Sequence, residues 1–430
     1  MKLVIHRGAK EIGGSCVELA TDSARIIIDV GMPLVNADKQ SFDAKNINSK
    51  SIEELKEKKV LPAIKGLYQN EKPQIDAVLI SHSHQDHYGL LEYVNNDIPV
   101  YISRGAKELI NATNIFLNKN IRLANAEIIK NQSAFNVGDF NITPYLVDHS
   151  AFDAYAFLIE AENKKVFYSG DFRGHGRKSG LFKKIIENPP TEINCLLMEG
   201  SMLGRNIMAF QNEEEIEAEI IEILKKQTNI TFLFSSSQNI DRLVSVYRAC
   251  LQTGTIFIID IYTAYVLQKT KAVSQNIPQF DWENIRVKYF NCHAEKLAQA
   301  GYKELLYVYN KRKIEMNEIN EKKNKILMLA RDNSIFPHIV DSLNDLDGIK
   351  IIYSMWEGYL TDEFKNYCRD KTIDIQQVHT SGHAVIGDLQ SFASALKPGY
   401  LVPIHTFKSA QYSAFFENVK IVEDGELFLI

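Results

Sequence analysis

Three histidines and an aspartate lie within six consecutive residues, from His82 to His87, in the order H-x-H-x-D-H. An apolar run at 77–80 comes directly before them and predicts a buried strand that ends in a loop. Imidazole nitrogens and carboxylate oxygens are the ligands that zinc takes in hydrolytic sites. We expect His82 and His84 to face one metal ion, and Asp86 and His87 to face a second ion nearby.

A histidine-rich surface turn is the alternative interpretation of this cluster. The whole chain has only 11 histidines, however, and a turn does not require three of them side by side. Further candidate ligands each follow a strand-like run, namely His149, Asp171 and His405. Gly170 lets the backbone bend tightly beside Asp171, so we predict that this carboxylate bridges the two ions. The ligand types predict Zn²⁺, with Mn²⁺ or Fe as alternative occupants.

Two short motifs farther along the chain add acid–base candidates, namely Glu199-Gly200-Ser201 and Ser381-Gly382-His383-Ala384. Glu199 taken alone would also suit the start of a helix. Together with the His82–His87 cluster and the Gly170-Asp171 turn, these motifs resemble the metallo-β-lactamase superfamily and, within it, the β-CASP nucleases. The residues 379–384 are most similar to ribonuclease J-like proteins. The sequence after His405 departs from that family's usual Gly-Glu, and we expect the chain to lack its extra C-terminal domain.

The resemblance implies an α/β fold with a four-layer αββα metallo-β-lactamase domain and an inserted β-CASP domain, whose parallel sheet is flanked by helices. Helix-like and strand-like segments alternate between about 201 and 374, which itself predicts a doubly wound unit. We therefore divide the chain into 1–200 and 375–430, the two parts of the metallo-β-lactamase domain, and 201–374, the insert. Candidate ligands on both sides of the insert predict an active site in the cleft between the domains. The helix-like segment 35–71 is predicted to lie near the entrance of the site, with a lid as one role.

The same resemblance implies a metal-dependent phosphodiesterase that hydrolyses RNA. His82, His84 and His149 would hold the first metal ion, Asp86, His87 and His405 the second, and Asp171 would bridge them. A hydroxide activated by both ions would attack phosphorus, so that Asp86 also counts as catalytic. His383, oriented by Glu199, would protonate the leaving oxygen. His379, Ser381 and Gly382 would contact a neighbouring phosphate, and Ser235 is a further candidate for which turn chemistry is an equal explanation.

The composition indicates the cellular compartment and the class of binding partner. Five scattered cysteines without C-x-x-C pairs are typical of reduced thiols, and no signal-peptide or membrane-spanning stretch is apparent, so we predict a cytoplasmic protein without a membrane partner. The formal net charge of −5 argues against broad coating of nucleic acid. Bound divalent cations would still attract phosphate locally. Basic residues after Asp171, among them Arg173 and Lys178, are candidate phosphate contacts.

Three other functions share parts of this pattern. A thioesterase or lactonase of the same fold would not need the long insert or the 381–384 loop. A DNA-directed nuclease of the related branch tends to lack a histidine at the position of His405. A non-catalytic scaffold subunit would have lost ligands, whereas every ligand position is filled here. Exonuclease or endonuclease action, the RNA target, and a monomer or a homodimer stay open alternatives.

Overall fold

The computed structural model describes residues 1–35, 42–43, 47, 50–205 and 209–430. Its strands, in chain order, are β1 (Lys2–Arg7), β2 (Cys16–Ala20), β3 (Arg25–Ile28), β4 (Ala77–Ile80), β5 (Val100–Ser103), β6 (Glu127–Ile129), β7 (Phe135–Val137), β8 (Phe140–Leu146), β9 (Tyr155–Ala161), β10 (Lys164–Tyr168), β11 (Cys195–Glu199), β12 (Thr231–Phe234), β13 (Ile256–Asp260), β14 (Ile285–Lys288), β15 (Ile326–Ala330), β16 (Lys350–Tyr353), β17 (Asp374–Gln377), β18 (Tyr400–Ile404) and β19 (Leu427–Leu429). Its α-helices are α1 (Ile52–Glu57), α2 (Gln85–Tyr88), α3 (Arg104–Leu117), α4 (Ser179–Glu187), α5 (Glu213–Lys225), α6 (Ile240–Thr253), α7 (Ile261–Thr270), α8 (Asn291–Gln299), α9 (Lys303–Asn310), α10 (Met316–Lys322), α11 (Ile335–Asp341), α12 (Asp362–Asp370) and α13 (Ile386–Leu396).

Two of the sheets pack face to face. In the part of the chain that the structure describes, the first has the order β19-β1-β2-β3-β4-β5-β6 and the second the order β18-β11-β10-β9-β8-β7. Ile26 and Leu79 of the first sheet and Phe157 and Val166 of the second are fully buried in one apolar core. Because successive side chains of a strand point to opposite faces, alternate residues of both sheets enter this core.

Helices cover the outer faces of these two sheets. Leu55 of α1 and Ile110 of α3 pack with Ile80 on the outer face of the first sheet. Ile185 of α4 and Leu389 of α13 lie in the core on the outer face of the second. The layers are therefore helix, sheet, sheet and helix, and the prediction of a four-layer αββα arrangement is confirmed.

The third sheet is parallel at every pairing among the described residues, with the order β14-β13-β15-β12-β16-β17. Ile216 of α5, Leu243 of α6 and Leu267 of α7 are buried in the core on one face. Phe336 of α11 and Phe364 of α12 are buried in the core on the other face. A parallel sheet needs such crossover helices, because each strand must return to the starting edge before the next begins.

The last two strands of the chain return to the first two sheets. β18 pairs in parallel with β11, and β19 pairs with β1, where Lys2 lies opposite Leu429. β17 continues to Gln377 as part of the third sheet, beyond the boundary predicted at 374. The division into 1–200, 201–374 and 375–430 stays a prediction about domains.

The predicted excursion at 35–71 lies partly outside the described residues. In its described part, Leu55, Leu67 and Tyr68 are buried on the outer face of the first sheet. These side chains anchor the stretch from 50 to 71 to the sheet, and a lid role for the segment stays a prediction. Among the described residues, every helix is too short or too polar to cross a bilayer.

Candidate metal centre

The candidate ligands come from strand ends and the loops that follow them. β4 ends at Ile80 and α2 begins after His84, which folds the His82–His87 cluster over the end of the strand. His149 follows β8, Asp171 follows β10, and His405 follows β18. β10 and β18 both pair in parallel with β11, so their carboxyl ends lie at the same edge of the sheet. This edge brings Asp171 and His405 together.

His82, His84 and His149 form a first group, whose ligand atoms lie within 4.8 Å of one another. Nε2 of His149 is 3.1 Å from Nδ1 of His84. Nδ1 of His149 lies 2.5 Å from the carbonyl oxygen of Gly382 and donates to it, which leaves Nε2 with a lone pair. Burial lowers the pKa of His84 to about 4 and the pKa of His82 well below its ordinary value. Neutral imidazoles are the form that binds a metal ion.

Asp86, His87 and His405 form a second group, also within 4.8 Å. Nε2 of His405 is 3.6 Å from Oδ2 of Asp86. Nδ1 of His87 donates to Asp29 at 2.8 Å, and Nδ1 of His405 lies 2.9 Å from the hydroxyl of Ser15. Because the Nδ1 atoms make these contacts, the Nε2 atoms of both rings point into the site, as expected for metal ligands.

Asp171 lies between the two groups. Its Oδ2 is 3.1 Å from Nε2 of His87, 3.5 Å from Nε2 of His405 and 3.7 Å from Nε2 of His82. Within the described residues, both carboxylate oxygens of Asp171 and the Nε2 atoms of these histidines are buried without a hydrogen bond of acceptable geometry. Buried polar atoms normally have partners, and a pair of divalent cations would supply them here. The donor set therefore fits a two-cation centre.

His383 and Glu199 lie beside this centre. Nδ1 of His383 is 3.3 Å from Oε1 of Glu199 and 3.7 Å from Oδ2 of Asp171. Burial lowers the pKa of His383, but the carboxylates of Glu199 and Asp171 outweigh it, so the pKa is raised. His383 also belongs to a group with Asp171 and His405 that is close enough to hold an ion. Its position thus suits two roles, a proton donor and an additional ligand.

Two segments of the chain match known families. Residues 57–220 match the beta-lactamase superfamily domain, and residues 371–414 match the Zn-dependent metallo-hydrolase RNA specificity domain. The chain is 24% identical to ribonuclease J of Mycoplasma genitalium over 424 residues, which cover 94% of this chain and 67% of that protein. These two matches and this similarity fit a ribonuclease J-like protein. The metallo-hydrolase assignment implies a metal cofactor.

Other similarities of this chain agree on the architecture. Ribonuclease J of Helicobacter pylori is 21% identical over 458 residues, which cover 99% of this chain and 60% of that protein. A crystal structure of a protein of unknown function from Enterococcus faecalis V583 superposes with a TM-score of 0.79 at 22% identity. That similarity covers 100% of this chain and 99% of the other, and it shows the shared fold.

The loop from His379 to His383 packs closely against the first ligand group. A side chain at Gly382 would collide with Ser150, so only glycine allows this approach. The hydroxyl of Ser381 accepts the backbone N–H of His383 at 3.0 Å. His379 is in none of the ligand groups, and burial together with Arg242 lowers its pKa to about 3.

Ser235, the remaining predicted phosphate contact, follows β12 and is only 2% exposed. Its hydroxyl has no hydrogen-bond partner among the described residues. Phosphate contacts by Ser235, His379, Ser381 and Gly382 stay predictions.

The prediction that Arg173 contacts phosphate is wrong, whereas the same prediction for Lys178 stays a prediction. Arg173 is fully buried, where it donates to Asp148 at 3.1 Å and to Asp241 at 2.8 Å. Lys178 is 2.7 Å from Asp241 as well. Carboxylates of the protein itself thus neutralise both cations. The sequence does not reveal these ion pairs, because the partners are distant along the chain.

Arg173 belongs to a buried charge network, defined as Asp148, Arg173, Glu213, Asp241 and Arg242. Burial would raise the pKa of Glu213, but Arg242 and its hydrogen bonds lower it to about 2, so the carboxylate stays charged. The network joins the turn after β10 to α5 and α6. Arg173 also donates to the carbonyl oxygen of Ser381 at 3.0 Å. It therefore ties the loop that carries His383 to both units.

Replacing Arg173 with methionine should lower the free energy of unfolding by about 3–5 kcal/mol, because buried carboxylates lose their counter-charge. Urea unfolding followed by circular dichroism measures this. Lys225→Met is the matched control, since the ion pair that Lys225 makes among the described residues is with the exposed Glu222, and it should unfold at the midpoint of the wild type. An Arg173→Met variant with an unchanged midpoint would show that the network does not stabilise the fold.

Asp29 is a site residue that the sequence analysis missed. It is fully buried, and its carboxylate accepts from Nδ1 of His87 at 2.8 Å, from the hydroxyl of Ser81 at 2.7 Å and from the hydroxyl of Tyr168 at 2.7 Å. A carboxylate behind a ligating histidine fixes the orientation of the ring. Asp29 follows a buried apolar strand, as Asp171 does, and that shared pattern was the available signal.

Proposed function

We propose that this protein is a metal-dependent phosphodiesterase that hydrolyses RNA in the cleft between its αββα unit and its third sheet. The main support is Asp171, a buried carboxylate without a hydrogen-bond partner among the described residues, placed between two sets of candidate ligands. The match to an RNA specificity domain at 371–414, which includes His383 and His405, supports RNA as the substrate. The relatives named ribonuclease J support the same reaction.

The ligand assignment follows the two groups. One ion would be held by His82, His84 and His149, the other by Asp86, His87 and His405, and Asp171 would be shared. When bound, two divalent ions supply a water of lowered pKa and neutralise charge on the phosphoryl oxygens. Nitrogen and oxygen donors favour Zn²⁺, with Mn²⁺ and Fe as alternatives.

His383 would provide the proton for the leaving oxygen. Its Nδ1 faces Glu199, and among the described residues no hydrogen bond occupies its Nε2, which is free to face substrate. The negative charge of Glu199 favours the protonated ring, the form that a general acid requires. Glu199 is itself fixed by the backbone N–H of Ser201 at 2.9 Å and that of Ala384 at 3.3 Å. The acid is thereby held beside the ligands at a fixed angle.

We propose that the protein is cytoplasmic. Cys16, Cys195, Cys250, Cys292 and Cys368 are all unpaired. Free thiols persist in the reducing cytosol, so these cysteines support a cytoplasmic location.

Incubation with a chelator should abolish RNA cleavage, and adding back Zn²⁺ or Mn²⁺ should restore it. The substrates are one labelled RNA sequence prepared with a 5′-phosphate, with a 5′-hydroxyl and as a circle, and cleavage of the circle would establish endonuclease action. Single-stranded DNA of the same sequence and a thioester serve as controls for the alternative functions. Cleavage that continues in the chelator, or turnover of the thioester alone, would contradict the proposal.

A further inference from the structure

Two aromatic rings are exposed to solvent just beyond the carboxyl end of β16. Trp356 is 48% exposed and Tyr359 is 61% exposed, whereas large aromatic side chains are normally mostly buried. Their ring centroids are 5.2 Å apart and the rings lie edge to face at 88°. A single 3₁₀ turn, Glu357–Tyr359, joins them, with the N–H of Tyr359 donating to the carbonyl oxygen of Trp356 at 3.1 Å. We refer to this pair as the Trp356–Tyr359 platform.

The platform is held in a fixed orientation. A side chain at Gly358 would collide with the indole ring of Trp356, so the glycine lets the ring lie directly over the turn. The guanidinium of Arg205 lies 5.1 Å from the centroid of the same ring, within the range of a cation–π contact. Rigid aromatic rings lose little conformational entropy when they bind a partner.

The platform also lies near the metal centre. The hydroxyl of Ser354, which precedes the platform, donates to the carbonyl oxygen of Val378, directly before the loop 379–383. Arg205 follows Ser201, whose hydroxyl donates to the carbonyl oxygen of His405 at 3.4 Å. These contacts place the platform beside two segments that carry residues of the candidate site. An exposed aromatic surface thus borders the place where phosphate would be cleaved.

We propose that Trp356 and Tyr359 stack on an unpaired nucleobase of single-stranded RNA, next to the phosphate that is cleaved. This inference rests on the proposed function and adds to it a surface that binds the base beside the cleaved phosphate. Stacking on aromatic rings accepts any base, because every base has a π-face. Arg205 adds a positive charge beside the rings, which favours the phosphate backbone. A protein partner would require a far larger area, since stable interfaces bury about 800 Å² on each side.

A scan with abasic nucleotides tests the platform. Single-stranded RNAs that each carry one abasic position are cleaved by the wild type, by the double variant Trp356→Ala/Tyr359→Ala, and by Tyr307→Ala. Tyr307 is 69% exposed and contributes nothing to the platform, so it is the matched control. For the wild type and the control, KM should rise about tenfold at one abasic position, as expected for the loss of one stacked base.

The double variant should show the same increase in KM on intact RNA, little change in kcat, and no further response to the abasic position. Gly358→Ala, which displaces the indole ring without removing it, should behave in the same way. An abasic profile of the double variant that equals that of the wild type would overturn the proposal. A changed oligomeric state with an unchanged RNA profile would assign the platform to protein contact and overturn it as well. Failure of the wild type to cleave any RNA with its metals present would instead contradict the proposed function.

Discussion

Replacing His383 with alanine should leave both metal ions bound and lower kcat on RNA by about 100-fold to 10,000-fold, the usual contribution of a general acid. The reason is geometric: Nδ1 of His383 is 3.3 Å from Glu199, and its Nε2 has no partner among the described residues. Without the imidazole, the leaving oxygen must depart without a proton. Metal analysis of the purified variant, together with cleavage of labelled RNA, measures both properties.

The metal content of this variant separates the two roles that the structure allows for His383. Loss of an ion together with activity would make His383 a ligand, in the group that it shares with Asp171 and His405. Normal turnover would exclude both roles. Glu199→Gln is the companion variant, because it keeps a hydrogen-bond acceptor for Nδ1 and removes the negative charge. The pKa of His383 should fall in this variant, so the alkaline limb of the kcat profile should move to lower pH.

Replacing Asp171 with alanine should remove both metal ions and reduce RNA cleavage to background. Its Oδ2 approaches histidines of both groups, His82 on one side and His87 and His405 on the other. His84→Ala should have a narrower effect, since His84 belongs only to the first group, and should cost one ion. Metal stoichiometry measured after dialysis distinguishes the two variants.

The control for these variants is His338→Ala, which removes a histidine that lies outside every ligand group. It should retain both ions and full activity. Unfolding curves of all variants in the metal-free state check that the fold is intact. Full metal content in Asp171→Ala would contradict a shared carboxylate, and loss of both ions in His84→Ala would show that the two positions are filled cooperatively.

The sequence predicted the parts of the site whose signal is local. His82 to His87 are contiguous, and His149, Asp171 and His405 each follow an apolar strand, so their types and positions could be recognised before their distances were known. The parallel third sheet could be predicted because helices and strands alternate regularly there. The general-acid role of His383 is predicted from a short motif. The position of His383 in the structure also allows a role as a metal ligand, which the metal analysis tests.

The parts that the sequence did not predict depend on contacts between distant segments. Arginine is a residue type that usually lies at the surface, and Arg173 is buried because the fold brings Asp148 and Asp241 to it from other elements. Trp356 and Tyr359 would be assigned to a core by their hydrophobicity, and their exposure follows from the turn in which they lie. An ion pair between residues that are far apart in the sequence leaves no periodic pattern for a sequence analysis to detect.

The return of β18 and β19 to the first two sheets bears on how this protein is made. Lys2 pairs with Leu429, and His405 reaches its group only after β18 has paired with β11. Contacts between residues so far apart form late in folding, because a long loop must close first. A nascent chain therefore carries an incomplete set of ligands until β18 and His405 have left the ribosome. For an enzyme that cleaves RNA, we therefore expect activity to appear only after β18 has paired with β11.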